Sequence, residues 1–282
     1  MPLCRFDLEI KKKENAVRLI GIDEAGRGPI AGPVTACAAF IPPEALRLLG
    51  KIVNDSKKLS PVKREKAFLI MLRHGVKFGF GWASAEEIDR TDILSATFKA
   101  MRSACARLFC QLHNETGTSR KYSAEDNGID KNILPPFEPA ETLVLVDGNH
   151  KIRNAGEIWQ QEIIDGDAKS ASVAAASIFA KVIRDRWMTL LSKKYPEYSF
   201  EKHKGYGTAA HIRAVELNGP CPEHRLTFAP LKQKYFSAKR QSEENKEEKT
   251  KKKAEPASEK KKERQAQKRK KQEDMPVQPL LF

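Results

Sequence analysis

Four acidic residues of this chain stand where apolar runs end, and their positions suggest metal-dependent chemistry. Asp23 and Glu24 come directly after the apolar run Leu19–Ile22, and Asp147 and Asp167 come just after two later apolar runs. A carboxylate at the end of a buried strand needs a cation, a hydrogen-bond donor or a proton. Carboxylate oxygens are ligands that Mg²⁺ and Mn²⁺ prefer, so the pattern predicts a site for one of these cations.

Acids from separate strands can meet, because ligands of α/β sheets gather where strands end. Carboxylates that meet raise one another's pKa unless divalent cations neutralise them. This combination suits two-metal hydrolysis of a phosphodiester, in which one metal activates water and the other, about 4 Å away, steadies the leaving oxygen. The alternative is that Asp23 and Glu24 lie on a solvated turn. Asp167, similarly, is also placed to be the N-cap of the next helix.

A glycine turn follows the first two acids. The glycines at 21 and 26 have the spacing of a phosphate-binding loop, but Arg27 comes next and no Lys-Ser/Thr pair follows. Two acids inside such a loop would repel a phosphate unless a metal stood between them. The sequence therefore argues against a phosphate cradle made of backbone amides alone.

The elements that position these acids alternate along the chain. Apolar runs predict strands at 18–24, 30–41, 76–83, 141–146 and 162–164, and helical patterns occupy 61–73, 92–113, 168–193 and 208–218. The first two strands should form a hairpin closed by the glycine turn. Helix caps are predicted at Ser60, which precedes a proline, and at Ser84 and Thr91. Interleaved strands and helices predict an α/β fold.

Charge indicates the class of partner. The 282 residues carry a formal net charge of +14. Residues 237–282 contain 15 basic and 9 acidic side chains, which leaves 36 basic and 28 acidic residues in 1–236. The body is therefore basic without its tail, which favours a polyanionic partner such as nucleic acid over a merely soluble basic protein.

Cysteine usage and hydropathy indicate the cellular compartment in which the protein works. The five cysteines form no CxxC pair and no cluster with histidine, which argues against a zinc ribbon or a disulfide scaffold and for a reducing compartment. No run reaches the roughly 18 apolar residues of a membrane span, and the first residues lack a signal-peptide core. We therefore expect a cytoplasmic, nucleoid-associated protein that does not enter a membrane.

Composition also divides the chain. We expect an N-terminal frayed arm at 1–18, a catalytic domain at 19–236, and a disordered Lys/Glu-rich tail at 237–282. Within the domain, the polar stretch 114–140 is a long loop insertion, and 195–236 is a helical C-terminal lobe. The final residues Gln278–Phe282 are largely apolar again.

Five motifs together resemble a known family. They are Gly21-Ile-Asp-Glu-Ala-Gly-Arg-Gly28, Asp55-Ser-Lys-Lys-Leu-Ser60, Val146-Asp-Gly-Asn149, Gly166-Asp167 with Ala-Ala-Ser-Ile-Phe-Ala-Lys181, and His203-Lys-Gly-Tyr206. In this order, and spanning about 19–230, they resemble bacterial ribonuclease HII, a type 2 ribonuclease H. The resemblance implies a ribonuclease H-like mixed β-sheet flanked by helices, with a small helical C-terminal lobe.

The resemblance also implies an activity and its residues. It implies an Mn²⁺- or Mg²⁺-dependent endoribonuclease that acts on RNA/DNA hybrids. It further implies cleavage on the 5′ side of single ribonucleotides in duplex DNA, leaving 3′-hydroxyl and 5′-phosphate ends. The family's active-site acids match Asp23, Glu24, Asp147 and Asp167. Its 2′-hydroxyl-contacting turn matches Gly26, Arg27 and Gly28, its sugar-packing tyrosine matches Tyr206, and a phosphate-contacting loop matches Ser56 and Lys57.

Physical reasons support these roles, and two departures limit the resemblance. The 2′-hydroxyl alone separates RNA from DNA at one sugar, and glycines let backbone amides approach it.

The 114–140 insertion is longer than in compact relatives, and the tail lies outside the common core. A type 3 enzyme would carry a substantial extra N-terminal domain, whereas only about 20 residues precede Asp23. His203, His211 and His224 are expected to be structural or phosphate-side residues.

Two alternatives and one partner remain open. Another ribonuclease H-like nuclease, such as a type 1 enzyme, would need neither Tyr206 nor the Gly-Arg-Gly turn. A non-catalytic nucleic-acid-binding protein recruited through its tail would need no acids at strand ends. The segment Gln278–Phe282 resembles the DNA sliding-clamp-binding motif of bacterial proteins, with Pro279 in place of the commoner Leu, although an incidental apolar end is equally open. We expect a monomer.

Overall fold

The computed structural model describes residues 3–53, 59–115 and 141–236. Ser56, Lys57, most of the 114–140 insertion and the whole 237–282 tail lie outside the described residues. The chain divides after Arg225 into two units. The described part of the second unit includes a short π-helix, Lys232–Phe236.

The first unit alternates helices and strands. Its helices are α1 Leu3–Lys13, α2 Pro43–Ile52, α3 Pro61–Arg73, α4 Ala85–Arg90, α5 Ile93–Glu115, α6 Gly166–Lys169, α7 Ala171–Lys194, α8 Phe200–His203 and α9 Ala209–Asn218. Its strands are β1 Arg18–Ala25, β2 Val34–Phe40, β3 Lys77–Ala83, β4 Thr142–Asp147 and β5 Gln160–Ile163. Among the described residues, no helix is long and apolar enough to cross a membrane.

The five strands form one mixed sheet in the order β3-β2-β1-β4-β5. Strand β1 is antiparallel to β2, as predicted, and parallel to β4, which in turn is parallel to β5. Successive side chains of a strand face opposite sides. Accordingly Ala36 and Ala38 of β2 pack in the cluster that contains α5, while Cys37 and Ala39 pack with α7. The predicted α/β class is confirmed.

Helix α7 lies directly against the strand that carries the first acids. A Cβ atom at Gly21 would stand 2.1 Å from the backbone carbon of Ser172, so glycine is needed for β1 and α7 to approach. Most of the Ala-rich first half of α7 is buried, which fits this close packing. The apposition fixes the position of α7 relative to Asp23.

The N-terminal segment is a helix, so the predicted frayed arm is wrong. Leu3, Asp7 and Ile10 share one face of α1 and are buried. The Asp7 carboxylate accepts hydrogen bonds from the backbone amide and the hydroxyl of Ser172, at 2.9 and 2.8 Å. The partner of α1 lies 165 residues away, and this distance explains why the charged sequence alone did not reveal the docking.

Three predicted boundaries also differ. The predicted helix 168–193 is divided at Ser170, whose extended backbone ends α6 and whose hydroxyl accepts from the amide of Val173 to begin α7. The start of α5 is capped by Asp92 and not by Thr91, because the Asp92 carboxylate accepts from the amides of residues 94 and 95. The predicted second strand starts at 34 instead of 30. By contrast, the predicted caps Ser60 and Ser84 are confirmed.

Candidate active site

Two of the predicted acids lie side by side because of strand register. Ile22 of β1 pairs with Val146 of β4 in the parallel ladder, so the next residues, Asp23 and Asp147, are neighbours across the two strands. Adjacent strands lie about 4.8 Å apart. The sheet therefore brings together acids that are more than 120 residues apart in the sequence.

The Asp23 carboxylate is buried, with 6% of the residue exposed. One of its oxygens accepts from the backbone amide of Glu24 at 2.7 Å, and the side chain of Ser177 on α7 hydrogen-bonds to it as well. Burial raises the pKa of Asp23 well above its ordinary value, and the charges of Glu24 and Asp147 raise it further. Asp23 is therefore held where its negative charge is costly.

Glu24 and Asp147 are held by donors on either side of Asp23. Burial raises the pKa of Glu24, although the Arg27 guanidinium, 3.1 Å from the Glu24 carboxylate, opposes that increase. The charge of Asp147 also raises the pKa of Glu24. Asp147 accepts from the backbone amide of Gly166 at 2.7 Å. Three carboxylates are thus electrostatically coupled at the ends of β1 and β4, where Asp23 is buried and Glu24 and Asp147 are half-buried.

Asp167 is the second residue of α6 and is 2% exposed. It directly follows Gly166, whose amide donates to Asp147, so the backbone places it beside these carboxylates. It is not the helix N-cap, since that position belongs to Asp165 and no side-chain cap bond forms there. The alternative interpretation of Asp167 as a helix N-cap is therefore wrong.

The donor set fits a hard divalent cation. All four acids offer oxygen ligands, and the raised pKa values of Asp23 and Glu24 are the response expected of carboxylates that lack a neutralising charge. Within residues 3–53, 59–115 and 141–236, no three His, Cys, Asp or Glu side chains already stand as a ligand cluster. Protein donors hold three of the acids, since the Glu24 amide and Ser177 contact Asp23, Arg27 contacts Glu24, and the Gly166 amide contacts Asp147.

The glycine turn that follows the acids is held from behind by two buried arginines. Arg225 donates to the carbonyls of Gly26, Arg27, Pro29 and Gly32 at 2.7 to 3.0 Å. Arg184 donates to the carbonyl oxygens of residues 31, 33 and 204 at 3.0 to 3.2 Å. Because these carbonyls point to the arginines, the segment is fixed as a rigid, non-repetitive loop.

Gly26 itself has no room for a side chain. Its φ is +93°, a value that favours glycine, and a Cβ atom there would lie 1.9 Å from Nε of Arg184.

The contacts of residues 30–33, including those with the two arginines, explain why β2 begins later than predicted. Residues 30–33 donate and accept with the 203–225 region instead of continuing the strand, as the bond from the Ile30 amide to the Gly205 carbonyl at 2.9 Å illustrates.

Tyr206 stands over the glycine turn. A Cβ atom on Gly28 would lie 3.8 Å from Cε1 of the Tyr206 ring, and Tyr206 is 50% exposed. An accessible aromatic ring therefore borders the turn at the end away from the acids. The structure brings together Gly26, Gly28 and Tyr206, whereas the predicted contacts Ser56 and Lys57 lie outside the described residues.

Ser177, Arg184 and Arg225 are site-supporting residues that the sequence analysis missed. Ser177 and Arg184 lie on α7 seven residues apart, a helical spacing that places them on one face, and this signal was available. Arg225 gave no local signal, because the carbonyl oxygens of the glycine turn to which it donates are nearly 200 residues away. Lys181 and Asp185, also on α7, pair with one another at 2.6 Å.

Comparisons with known proteins agree with this arrangement. A family model described as Ribonuclease HII matches residues 20–120 and 123–231. The chain is 43% identical over 216 residues to "Ribonuclease HII" of Syntrophotalea carbinolica, covering 77% of this chain and 87% of that protein.

Solved structures share the fold. "Structure of the PCNA:RNase HII complex from Archaeoglobus fulgidus" gives a TM-score of 0.54 at 22% identity, covering 75% of this chain and 95% of that one. "Crystal structure of Bst-RNase HIII in complex with Mn2+" gives 0.53 at 18% identity, covering 80% and 71%. The mixed sheet with its flanking helices is thus the ribonuclease H-like fold.

Proposed function

The chain belongs to the ribonuclease HII family and is an endoribonuclease, and we propose that Asp23, Glu24, Asp147 and Asp167 form its active site. The observation that carries this proposal is the electrostatic coupling of Asp23, Glu24 and Asp147, which follows from a strand register that sets Asp147 beside the buried Asp23 and its neighbour Glu24. A binding protein would have no reason to bury adjacent charges that raise one another's pKa. The same coupling argues against the non-catalytic alternative.

Mg²⁺ or Mn²⁺ is the cofactor that these acids would hold. A divalent cation there would supply Lewis-acid activation and charge stabilisation for phosphodiester hydrolysis, and a pair of cations suits the four ligands. The Mn²⁺ complex of the Bst-RNase HIII neighbour supports this choice. In this chain, Ser177 and the Glu24 amide orient Asp23, the Gly166 amide orients Asp147, and Arg27 holds Glu24.

The substrate is duplex nucleic acid that contains ribonucleotides. We propose cleavage of the RNA strand of RNA/DNA hybrids, and cleavage on the 5′ side of a single ribonucleotide in DNA. Backbone amides of the Gly26–Gly28 turn would meet the 2′-hydroxyl, and the Tyr206 ring would pack on the following deoxyribose, where an added hydroxyl would be crowded. The adjacency of Gly28 and Tyr206 supports this reading over a type 1 enzyme.

Replacing Tyr206 with Ala tests the substrate assignment. The variant should lose about 10- to 100-fold in kcat/KM on a duplex with one embedded ribonucleotide, because an aromatic packing contact is worth about 1–3 kcal/mol. The loss on a continuous RNA/DNA hybrid should be much smaller. Both substrates are compared in one cleavage assay with end-labelled strands.

Tyr206→Phe is the matched control, because it keeps the ring and should keep the preference within about threefold. Equal losses of Tyr206→Ala on the two substrates would show that Tyr206 does not sense the junction. Absence of cleavage by the wild type on both substrates would contradict the proposed activity as a whole.

A DNA sliding clamp is the proposed protein partner. Gln278–Phe282 offers a glutamine and a Leu-Phe pair, which suit a short extended peptide that anchors through two or three side chains. The PCNA complex of the archaeal relative supports a clamp as the class of partner. All proposed active-site acids come from one chain, so a monomer is sufficient for activity. We propose that the protein acts on the chromosomal DNA of the nucleoid.

Removing residues 278–282 should weaken binding to the cognate clamp by about 10-fold or more, because the two large apolar anchors are lost. Titration of the clamp into intact and shortened protein, followed by calorimetry, measures this. Binding to duplex DNA serves as the control and should not change, since the Lys-rich run 249–271 stays in place. Equal clamp affinities would mean that the pentapeptide is not an anchor.

A further inference from the structure

A cluster of three histidines lies behind Tyr206 and has no role in the chemistry described above. His211 and His224 are 0% and 2% exposed. The ring of His203 stacks on that of His211 with their centroids 4.2 Å apart, and Phe200 packs edge-on against His211 at 5.5 Å. Buried polar rings must satisfy their nitrogens, so their hydrogen bonds define what the cluster does.

The hydrogen bonds of His211 and His224 run in one direction. Nδ1 of His211 lies 2.8 Å from the Tyr206 carbonyl oxygen, which can only accept, so Nδ1 carries the proton. In a neutral ring Nε2 then accepts, and Nε2 of His224, 3.0 Å away, donates to it. Nδ1 of His224 is then left to accept, and the backbone amide of Cys221 donates to it at 3.0 Å, closer than the Cys221 carbonyl oxygen at 3.3 Å. The tautomer of each ring is therefore determined by the protein.

Burial favours the neutral form of both rings. Burial lowers the pKa of His211 and of His224 to about 4 each. Nε2 of His203 donates to the Tyr198 carbonyl at 2.7 Å, and its Nδ1 accepts from the Gly205 amide. Burial raises the pKa of the Cys221 thiol, whose sulfur lies 3.2 Å from His224, to about 11.

The two ends of this chain of hydrogen bonds reach the two proposed recognition elements. One end is the Tyr206 carbonyl, which also accepts from the Thr208 amide at 2.8 Å. At the other end, His224 forms a β-bridge with Ala31, just beyond the glycine turn, and the Gly32 amide donates to the Glu223 carbonyl at 2.8 Å. The histidine pair is thus an internal connection between the turn and Tyr206.

Resting on the proposed function, we propose that His211 and His224 are positioning residues that set the preference for a junction between a ribonucleotide and a deoxyribonucleotide. Their hydrogen bonds hold the main chain of Tyr206 at a fixed distance from the glycine turn. The turn meets the ribose and Tyr206 meets the next sugar, so this distance decides whether both contacts form on one substrate. Small misplacements of binding groups have large kinetic effects.

Two substitutions of His211 separate positioning from mere folding. The side-chain amide nitrogen of Asn takes the place of Nδ1, and that of Gln takes the place of Nε2. His211→Gln should lower kcat/KM on a duplex with one ribonucleotide by about 10-fold, and that on a continuous hybrid by less than about 3-fold. His211→Asn keeps the donor to Tyr206 but loses the acceptor for Nε2 of His224, so its loss on the single-ribonucleotide duplex should be smaller than that of His211→Gln.

Val215→Ala is the control for lost stability. Val215 is buried in α9, so its truncation lowers the Tm, but its side chain has no hydrogen-bonding atom and the substitution should leave the substrate ratio unchanged. A change of ratio in Val215→Ala comparable with that in His211→Gln would overturn the proposal.

Tyr206→Ala separates the two levels of the argument. If Tyr206→Ala changes the ratio and His211→Gln does not, the positioning role is overturned while the proposed function stands. If neither changes it, both the Tyr206 assignment and the positioning role fail.

Nitrogen-15 NMR of the histidine rings in the wild type gives a measurement that needs no variant to fold. We expect the Nδ1–H tautomer for His211, the Nε2–H tautomer for His224, and no titration of either above about pH 5. The opposite tautomers, or a titration near the ordinary histidine pKa, would overturn the proposal.

Discussion

Replacing Asp23 with Asn will abolish cleavage while the protein stays folded. Asn keeps the shape of the side chain and accepts from the Glu24 amide, but it removes a charged ligand from the proposed cation site. Charge stabilisation by a bound cation is worth several kcal/mol, so we expect kcat to fall by about 10³-fold or more. Single-turnover cleavage at saturating Mg²⁺ or Mn²⁺ measures the loss.

The same substitution should raise stability without metal, with a defined dependence on pH. The pKa of Asp23 is raised in the folded state, mainly by burial and then by Glu24 and Asp147. Because this pKa is higher in the folded than in the unfolded protein, the stability that Asp23 contributes is fully present only below its pKa in the unfolded state. That stability is lost as pH rises through its pKa in the folded state. Asp23→Asn removes this loss, so its Tm should exceed that of the wild type increasingly above about pH 4.

Added Mg²⁺ or Mn²⁺ provides the control. The cation should raise the Tm of the wild type more than that of Asp23→Asn, because only the wild type presents the full set of carboxylates. Wild-type turnover by Asp23→Asn at saturating metal would contradict the four-acid assignment. An equal metal-induced shift in Tm for both proteins would contradict the placement of the cation at Asp23.

Arg225→Lys will destabilise the fold by about 3 kcal/mol or more. The Arg225 guanidinium donates to four backbone carbonyls of the 26–32 segment, and a single ammonium can reach only some of them. Each buried carbonyl left without a donor costs about 1–3 kcal/mol. For a domain of this size, the Tm should fall by about 6–12 °C, which differential scanning calorimetry measures.

The Arg225→Lys variant should also lose cleavage activity at temperatures where it is fully folded, because the 26–32 segment is held less firmly. The turn beside Tyr206 would lose the contacts that fix it, so cleavage of the single-ribonucleotide duplex should drop well below the transition temperature. Arg213→Lys is the matched control, because Arg213 is exposed on α9 and its replacement should change stability by less than about 0.5 kcal/mol. Wild-type stability and cleavage in Arg225→Lys would contradict the role of the guanidinium.

Local chemistry determined much of this fold. The helix predicted at 61–73 begins and ends at those residues, because Ser60 accepts from an amide of the first turn and Pro61 supplies the fixed φ of a first helical residue. Ser84 forms a capping box with Glu87 for the same kind of reason. Apolar runs that end in acids predicted the ends of β1 and β4 to within one residue, since both signals lie within a few consecutive residues.

Tertiary structure alone decided the surroundings of the acids. Asp7 docks α1 onto Ser172, and Arg225 holds the Gly26 turn, through contacts that span 165 and 199 residues. Long-range hydrogen bonds leave no periodic or local pattern, because any buried donor can satisfy a carbonyl. The sequence by itself therefore determined which residues could hold a cation. Only the packing of α7 and the 203–225 region decided how the turn and Tyr206 come to lie beside them.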